Sequence, residues 1–317
     1  MDMLSSIKKY ASDIGFDACG VAPCRPMKEE VSVMKDWVRQ DLHAGMGYME
    51  KHMDLRINPS ALYDGTKSVV VCLISYKTGR RYDEGIPQIA SYARSADYHY
   101  MIKKRLARLL DHIQELDPTC NGRIFVDSGP VLEKHWAVEV GLGWQGRHSL
   151  LIHPKLGSFC FIGTILTSLE LPEYDTPYGK NRCGSCRECI DRCPADAIRE
   201  NGLIDCRKCL SFQTIENRGP VPEDLLPALE NRLFGCDTCQ DVCPWNQKPE
   251  PRNHSFFQPE ESLYAITEKE WLEMGTGEFK RRFGHTPLAR AGLKKLKQTL
   301  RQKSGLSLPK SSCYDPE

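Results

Sequence analysis

Apolar positions recur along the first 170 residues with two alternating periods. Over residues 5–14 they return every three or four positions, the spacing of a helix with one buried face. Ala18-Cys19-Gly20-Val21-Ala22 follows as a short apolar run. Lys67-Ser68-Val69-Val70-Val71-Cys72-Leu73-Ile74 is the strongest strand signal in the chain, largely β-branched and bounded by Gly65 and Ser75. Residues 98–116 return to the helical period with many basic residues on the outer face, residues 123–126 predict a second buried strand, and residues 131–140 predict a helix. Residues 149–152 and 158–167 predict further strands, joined as a hairpin through Pro154-Lys155-Leu156-Gly157. The alternation predicts an α/β fold for residues 1–170.

A linker rich in Pro, Tyr and Asp then leads into a cysteine-rich segment, so a second domain is expected over residues 171–250 and a helical, basic C-terminal segment over 251–317. Hydrophobic residues at 40% and charged residues at 27% suit a soluble globular protein. The longest clearly apolar run, residues 69–74, is far too short to cross a bilayer, and the N-terminus lacks the basic and apolar stretches of a secretory signal. A cytoplasmic protein without membrane contact is expected, in a compartment that keeps thiols reduced. Lys+Arg 43 against Asp+Glu 42 gives a formal charge of +1, so no global field selects a polyanionic partner. Charge is concentrated locally: residues 280–303 hold nine basic side chains and no acidic one.

Fifteen cysteines in a reducing compartment call for a role other than disulfides. Six are scattered (Cys19, Cys24, Cys72, Cys120, Cys160 and Cys313) and read as small apolar residues. Nine fall between Cys183 and Cys243. Cys183-x2-Cys186-x2-Cys189-x3-Cys193-Pro194 reproduces the bacterial ferredoxin run, in which three closely spaced thiolates wrap one 4Fe–4S cubane and the fourth reaches a second cluster. An incomplete copy follows at Cys236-x2-Cys239-x3-Cys243-Pro244. By the same exchange Cys243 completes the cluster of Cys183, Cys186 and Cys189, while Cys193 joins Cys236 and Cys239. The remaining ligand is Cys206 or Cys209, and spacing does not choose between them. Zinc is the alternative for paired thiolates, but it requires neither the Pro after the last Cys nor the three-residue gap occurring twice. Two clusters form a one-electron wire, which must end at a site of chemistry in the first domain.

There, Gly141-Leu142-Gly143-Trp144-Gln145-Gly146 matches a dinucleotide fingerprint in the wrong context, after a helix and before a strand, and reads better as a Gly-rich turn near a bulky cofactor. Asp127 ends a strand before Ser128-Gly129-Pro130; taken alone it is read as the cap of the following helix, with Pro130 in its first turn. Tyr98 and His99 open another helix and line the same cleft in this reading.

Asp97-Tyr98-His99, the run from Asp127 to Lys134, Gly141 to Gly146, Leu150-Leu151-Ile152-His153-Pro154, Gly157-Ser158, Cys209-Leu210-Ser211-Phe212 and the run from Gly235 to Asn246 together resemble the epoxyqueuosine reductases over roughly residues 1–300. The resemblance implies a cobalamin-binding first domain related to reductive dehalogenases, fed by two 4Fe–4S clusters. It also implies removal of the epoxide oxygen of epoxyqueuosine at the wobble position of tRNA. It implies that Asp127 is the proton donor, kept protonated by burial beside a corrin, and that Cys209 rather than Cys206 is the eighth ligand. Arg56, Tyr98, His99, Asp127, Gly146, His153 and Ser158 become expected cofactor contacts, and Cys160 a packed thiol. Many relatives continue into a helical-repeat domain that helps grip tRNA. This chain stops soon after Leu300, so Lys280, Arg281, Arg282, Arg290, Lys294, Lys295 and Lys297 are expected to meet phosphate. The expected partners are tRNA and an external low-potential electron donor, and a monomer is expected. Two rival readings remain at this stage, a dehalogenase-like reductase of a small molecule and a non-catalytic electron carrier.

Overall fold

Eight consecutive apolar or small residues are stable only in a strand covered on both faces, and Ser68–Ser75 is buried at every position. The computed structural model describes residues 2–251, 254 and 257–306. Cys313 lies outside the described residues. In chain order the main elements are helix α1 (Met3–Asp13), strands β1 (Ala18–Pro23), β2 (Ser68–Ser75) and β3 (Gln88–Ile89), and helix α2 (Tyr98–Leu116). Strand β4 (Gly122–Phe125), helix α3 (Glu133–Glu139), strands β5 (Trp144–Gln145), β6 (Leu151–Ile152), β7 (Cys160–Thr167) and β8 (Arg232–Phe234), and helix α4 (Gly292–Lys303) follow.

The central sheet has the order β1-β2-β7-β4, and every neighbouring pair is antiparallel. Side chains alternate across it with the period of two that a strand imposes. Val70, Cys72 and Ile74 of β2 pack with Ile7 and Ala11 of α1 and with Ile102, Leu106 and Leu109 of α2. Val69, Val71 and Leu73 face the opposite layer, with Trp136 and Ala137 of α3 and with Phe125. The result is an α/β sandwich of three layers. Each fully buried Val, Leu or Ile in it contributes about 1.5–3 kcal/mol.

Two local expectations change. Leu151–Ile152 pairs with Trp144–Gln145, not with β7; only a single bridge, His153 to Gly157, closes the turn between them. The Gly-rich segment is the entry to that β5–β6 hairpin: a Cβ on Gly146 would lie 2.6 Å from Ile152 Cδ1 and 3.0 Å from His148 Cε1. Asp127 caps no helix, because α3 begins at Glu133 with Leu132 at its N-cap. The scattered cysteines behave as packed thiols. Cys19 and Cys72 face each other across β1 and β2 in the core, and Cys160 packs half-buried against the α3 layer.

Two of the joints between the cysteine segment and the rest of the fold fix its position. At the first, Asn246 Oδ1 accepts the Ser158 amide at 2.6 Å, while its Nδ2 donates to Ser158 Oγ and to the Gln240 carbonyl, each at 2.8 Å. Ser158 Oγ donates in turn to Gln240 Oε1 at 3.1 Å. All three residues are buried. Gly157, at φ 74°, must lack a side chain here, since a Cβ would stand 2.0 Å from Asn246 Oδ1. At the second place β3 runs parallel to β8, and Asp237 Oδ2 accepts the Ser91 amide at 2.6 Å. The C-terminal helices close over this side: Trp271, Phe279, Phe283, Leu296 and Leu300 share one core with Ile89 of β3 and Phe234 of β8. Among the described residues no helix is long and apolar enough to cross a membrane.

Asn246→Ala would strand the buried Ser158 amide and take one donor each from Ser158 Oγ and the Gln240 carbonyl. The expected cost is about 3 kcal/mol, seen as a lowered melting temperature of the iron-loaded protein. An unchanged melting temperature would reject Asn246 as the joint.

Candidate functional site

Short helices Glu188–Asp191 and Thr238–Asp241 carry the two halves of the cysteine motif, each followed by a Cys-Pro step at which the chain turns away. Cys183, Cys186, Cys189 and Cys243 line one cavity, together with Arg147, His148, Arg182 and Trp245. Cys239 lies within electrostatic reach of Cys236, Cys209 and Cys193, which defines a second quartet. Cys206 is near Cys209 alone among these thiols, and on its other side it meets Lys134. The exchange of thiolates inferred from spacing is therefore the one that the fold brings together, and Cys209 is better placed than Cys206 to complete it.

These thiols fit cubanes better than single ions. Burial pushes the Cys189 thiol up to about 11, with Cys243, Cys183 and Cys186 adding to the effect. Burial likewise raises Cys209 and Cys239. Such a set ionises readily only around cations. Among the described residues no three His, Cys, Asp or Glu side chains converge on a point where one metal ion would be held. Thiolates spread around a volume are what a 4Fe–4S cube requires.

The second candidate centre lies where β4 ends and α2 begins. Asp97 caps α2, its Oδ1 accepting the His99 amide at 2.9 Å, which sets Tyr98 and His99 on the first turn. Tyr98 OH donates to Asp127 Oδ2 at 3.1 Å, and His99 Nε2 faces the same oxygen across 3.7 Å. His99 Nδ1 stands 2.7 Å from Asp97 Oδ1. Tyr98 is held flat by stacking on Phe161 at 4.0 Å between ring centroids. Asp127 itself sits at φ 58°, the left-handed region that costs a non-glycine residue about 1–3 kcal/mol. Its amide is held by Glu133, whose two carboxylate oxygens accept it at 3.2 and 3.1 Å.

The charges differ from the expectation. The Asp127 side chain is 59% exposed, and His99 beside it holds its carboxyl below the usual carboxylate range. Asp127 foremost, then Asp97, raise His99 to about 9. His99 thus favours the ionised form of Asp127, whereas the expected protonated form belongs to a carboxyl covered by a corrin. The raised carboxyl is Glu133, pushed up to about 8 by burial and by the Asp127 charge. Neither Glu133 nor the half-buried Lys134, which donates to the Ser149 carbonyl at 2.8 Å, is singled out by sequence reasoning. Both follow Asp127 in its own motif, which was the available signal.

Tyr48 and Arg290 stand within electrostatic reach of Asp127, and Glu216, paired with Arg290, completes the cleft. Lys134, within reach of both Asp127 and Cys206, and Cys206, beside Cys209, lead from this cleft to the second thiol quartet. Arg56 belongs to the same wall. Its Nη2 donates to the Tyr48 carbonyl at 3.2 Å, while its buried Nε has no partner among the described residues. That orphan donor, with the open carboxylate and Tyr48 exposed beside it, suits a cleft that receives a large polar-rimmed cofactor.

Other expected contacts move elsewhere. Ser158 is buried in the Asn246 joint, so it offers no surface to a cofactor. His153 Nδ1 accepts the amides of Lys155 and Leu156, each at 3.1 Å, and burial lowers the ring to about 4, which makes it a turn brace. Gly146 serves the hairpin packing described above. Of the expected phosphate contacts, Lys280, Arg281 and Lys294 are exposed, and Lys297 is half-buried. Arg282 pairs with Glu278 at 2.9 Å. Lys295 is buried, donates to the Gly219 carbonyl at 2.8 Å and is lowered to about 8 by burial, so it cannot reach a backbone phosphate. Arg290 pairs with Glu216 at 2.7 Å on the edge of the cleft.

Comparison with known proteins adds names to this geometry. Residues 182–246 match the family described as "4Fe-4S double cluster binding domain", and residues 56–128 match "Epoxyqueuosine reductase QueG, DUF1730". An epoxyqueuosine reductase of Cyclobacterium marinum is 41% identical over 286 residues, covering 90% of this chain and 91% of that protein. The fold superposes with a TM-score of 0.85 and 25% identity on an epoxyqueuosine reductase crystallised with an epoxyqueuosine-modified tRNA-Tyr stem loop, covering 94% of this chain and 80% of that one. The Bacillus subtilis enzyme, solved with a catalytic aspartate loop swung out of the active site, gives a TM-score of 0.84 at 25% identity, with the same coverage.

Two outcomes follow from the site. Cys206→Ala should retain the full iron content and Cys209→Ala should not; iron analysis showing the reverse would exchange their roles. His99 should remain an imidazolium until about pH 9. Because its folded value lies above the ordinary 6.5, its contribution to stability is complete below pH 6.5 and is lost as pH rises through about 9. Asp127→Asn should bring the His99 titration down toward the ordinary value, as read from the ring resonances of labelled protein. No change there would show that Asp97 alone holds the proton.

Proposed function

The chain belongs to the epoxyqueuosine reductase family, and from that membership we propose how its own residues carry the reaction. It is a tRNA-modifying oxidoreductase that reduces the epoxide of epoxyqueuosine to the alkene of queuosine, a change of two electrons and two protons that releases water. Its cysteine segment holds two 4Fe–4S clusters.

In this reading residues 1–170 form the catalytic domain, residues 171–250 the cluster domain and residues 251–317 a basic helical segment. Asp127, Tyr48, Arg56, Tyr98 and His99 would hold cobalamin in the cleft they bound, with the orphaned Arg56 Nε available as a donor to it. The chemistry the group supplies when bound is a strongly nucleophilic reduced cobalt directed at the ring carbon bearing the epoxide. The chain's part is the proton. His99 stores it between two carboxylates, Tyr98 fixes the orientation of Asp127, and Asp127 delivers it to the departing oxygen. The catalytic aspartate loop of the Bacillus subtilis relative supports this role for Asp127. Clusters held by the cavity quartet and by Cys193, Cys209, Cys236 and Cys239 would supply single electrons from an external low-potential donor, the second quartet lying on the Cys206 side of the cleft. Lys280, Arg281, Lys294 and Lys297 meet tRNA phosphates. The protein acts as a cytoplasmic monomer.

The observation that carries this reading is the convergence of Tyr98, His99 and a strained, open Asp127 on one carboxylate oxygen. Asp127→Asn should keep both clusters and bound cobalamin, yet lose turnover by roughly 10²–10⁴-fold, measured as queuosine formed in substrate tRNA. Full activity in that variant would remove Asp127 from the reaction.

A further inference from the structure

His148 is only 3% exposed, and its two ring nitrogens are not equivalent. Nδ1 accepts the Leu150 amide at 3.3 Å. A ring that accepts an amide hydrogen at Nδ1 carries its own hydrogen on Nε2. That N–H is buried and has no partner among the described residues. Leaving such a donor unpaired costs about 1–3 kcal/mol, yet the ring is held in place, with the missing side chain of Gly146 leaving it room. His148 lines the cavity whose wall also carries Cys183, Cys186, Cys189 and Cys243. Arg147 Nε, on the same wall, is likewise unpaired, but its Nη2 is tied to the Gly184 carbonyl at 3.0 Å.

We propose that His148 donates its Nε2 hydrogen to the sulfur shell of the cluster held by Cys183, Cys186, Cys189 and Cys243, and so raises the reduction potential of that cluster. A hydrogen bond to a cluster sulfur is stronger in the reduced state, which carries one more negative charge, so the donor favours reduction. His148 is then a tuning residue. It touches neither tRNA nor the cleft, and it makes the cavity cluster the easier of the pair to reduce than it would otherwise be. The inference rests on the cluster assignment above, and iron and sulfide analysis of the same samples separates a failure of that assignment from a failure of this one.

The test is a redox titration of the iron-loaded protein followed by electron paramagnetic resonance. His148→Leu should lower the potential of one cluster by the equivalent of a tenfold change in its reduction equilibrium, about 60 mV for one electron. The other cluster and the iron content should stay unchanged, and His148→Gln, which keeps a donor, should recover part of the shift. Potentials unchanged for both clusters in the leucine variant would overturn the proposal. If that variant fails to hold iron, pulsed resonance of the reduced wild-type protein with ¹⁵N-labelled histidine decides. A ¹⁵N coupling to one reduced cluster supports the hydrogen bond, and its absence overturns it.

Discussion

One buried amide, Asn246, sets the distance over which this protein works. It stands just after the second Cys-Pro step and spends three hydrogen bonds on Ser158 and Gln240, so the loop that closes the first thiol quartet is pinned to the segment leading into β7. Electron transfer between sites falls off steeply with separation, and proton delivery tolerates even less play. A polar joint has a use here that an apolar contact would lack. Hydrogen bonds fix register as well as proximity, and fully satisfied buried networks specify one arrangement. The parallel β3–β8 pair and the Ser91–Asp237 bond give a second fixed point, so the cysteine segment can neither slide nor rotate relative to the sheet.

At the cleft the governing feature is a pair of carboxyls driven apart in acidity. Asp127 and Glu133 meet through a backbone amide, and two charges so close in a half-buried place are unfavourable. The protein resolves the conflict by giving Asp127 a histidine and a phenol, while Glu133 is left in an apolar setting that keeps it near neutral. His99 therefore favours the ionised form of Asp127, and the two carboxylates beside His99 favour its imidazolium. The left-handed backbone at Asp127 persists because Glu133 holds its amide while Tyr98 and His99 hold its side chain. The strained backbone and the side-chain contacts to Tyr98 and His99 distinguish the observed Asp127 from the helix cap that its neighbours Ser128-Gly129-Pro130 resemble.

Much of this was legible in the chain, and the parts that were not have a common cause. Strand β2 and helix α2 could be read directly, since an unbroken β-branched run and a sustained helical period each admit one conformation. The thiol quartets could be read because cysteine spacing and the following Pro restrict geometry locally. Ser158, His153 and Lys295 could not. Each is a polar residue whose role depends on which way it points after the chain has closed, inward to Asn246, to its own turn, or to the Gly219 carbonyl. The β5–β6 pairing was hidden for a similar reason, because two-residue strands leave too little alternation to choose a partner. Glu133 shows the limit most plainly. Its acidity is set by a neighbour's charge and by burial, and neither is a property of local sequence.

The basic C-terminal run shows why counting charge is a poor guide to a surface. Its helices are built into the core that β3 and β8 share, through Phe279, Phe283, Leu296 and Leu300, and a helix packed on one side can present only part of its circumference. Lys295 falls on the packed side and satisfies a carbonyl there, whereas Arg290 turns to Glu216 at the cleft. Lys280, Arg281 and Lys294 are left facing water. These cations are rooted in the same core as the cysteine segment, so a polyanion bound to them would be registered against the wire and the cleft together. A separate domain on a flexible linker could supply the attraction, but it could not supply that register.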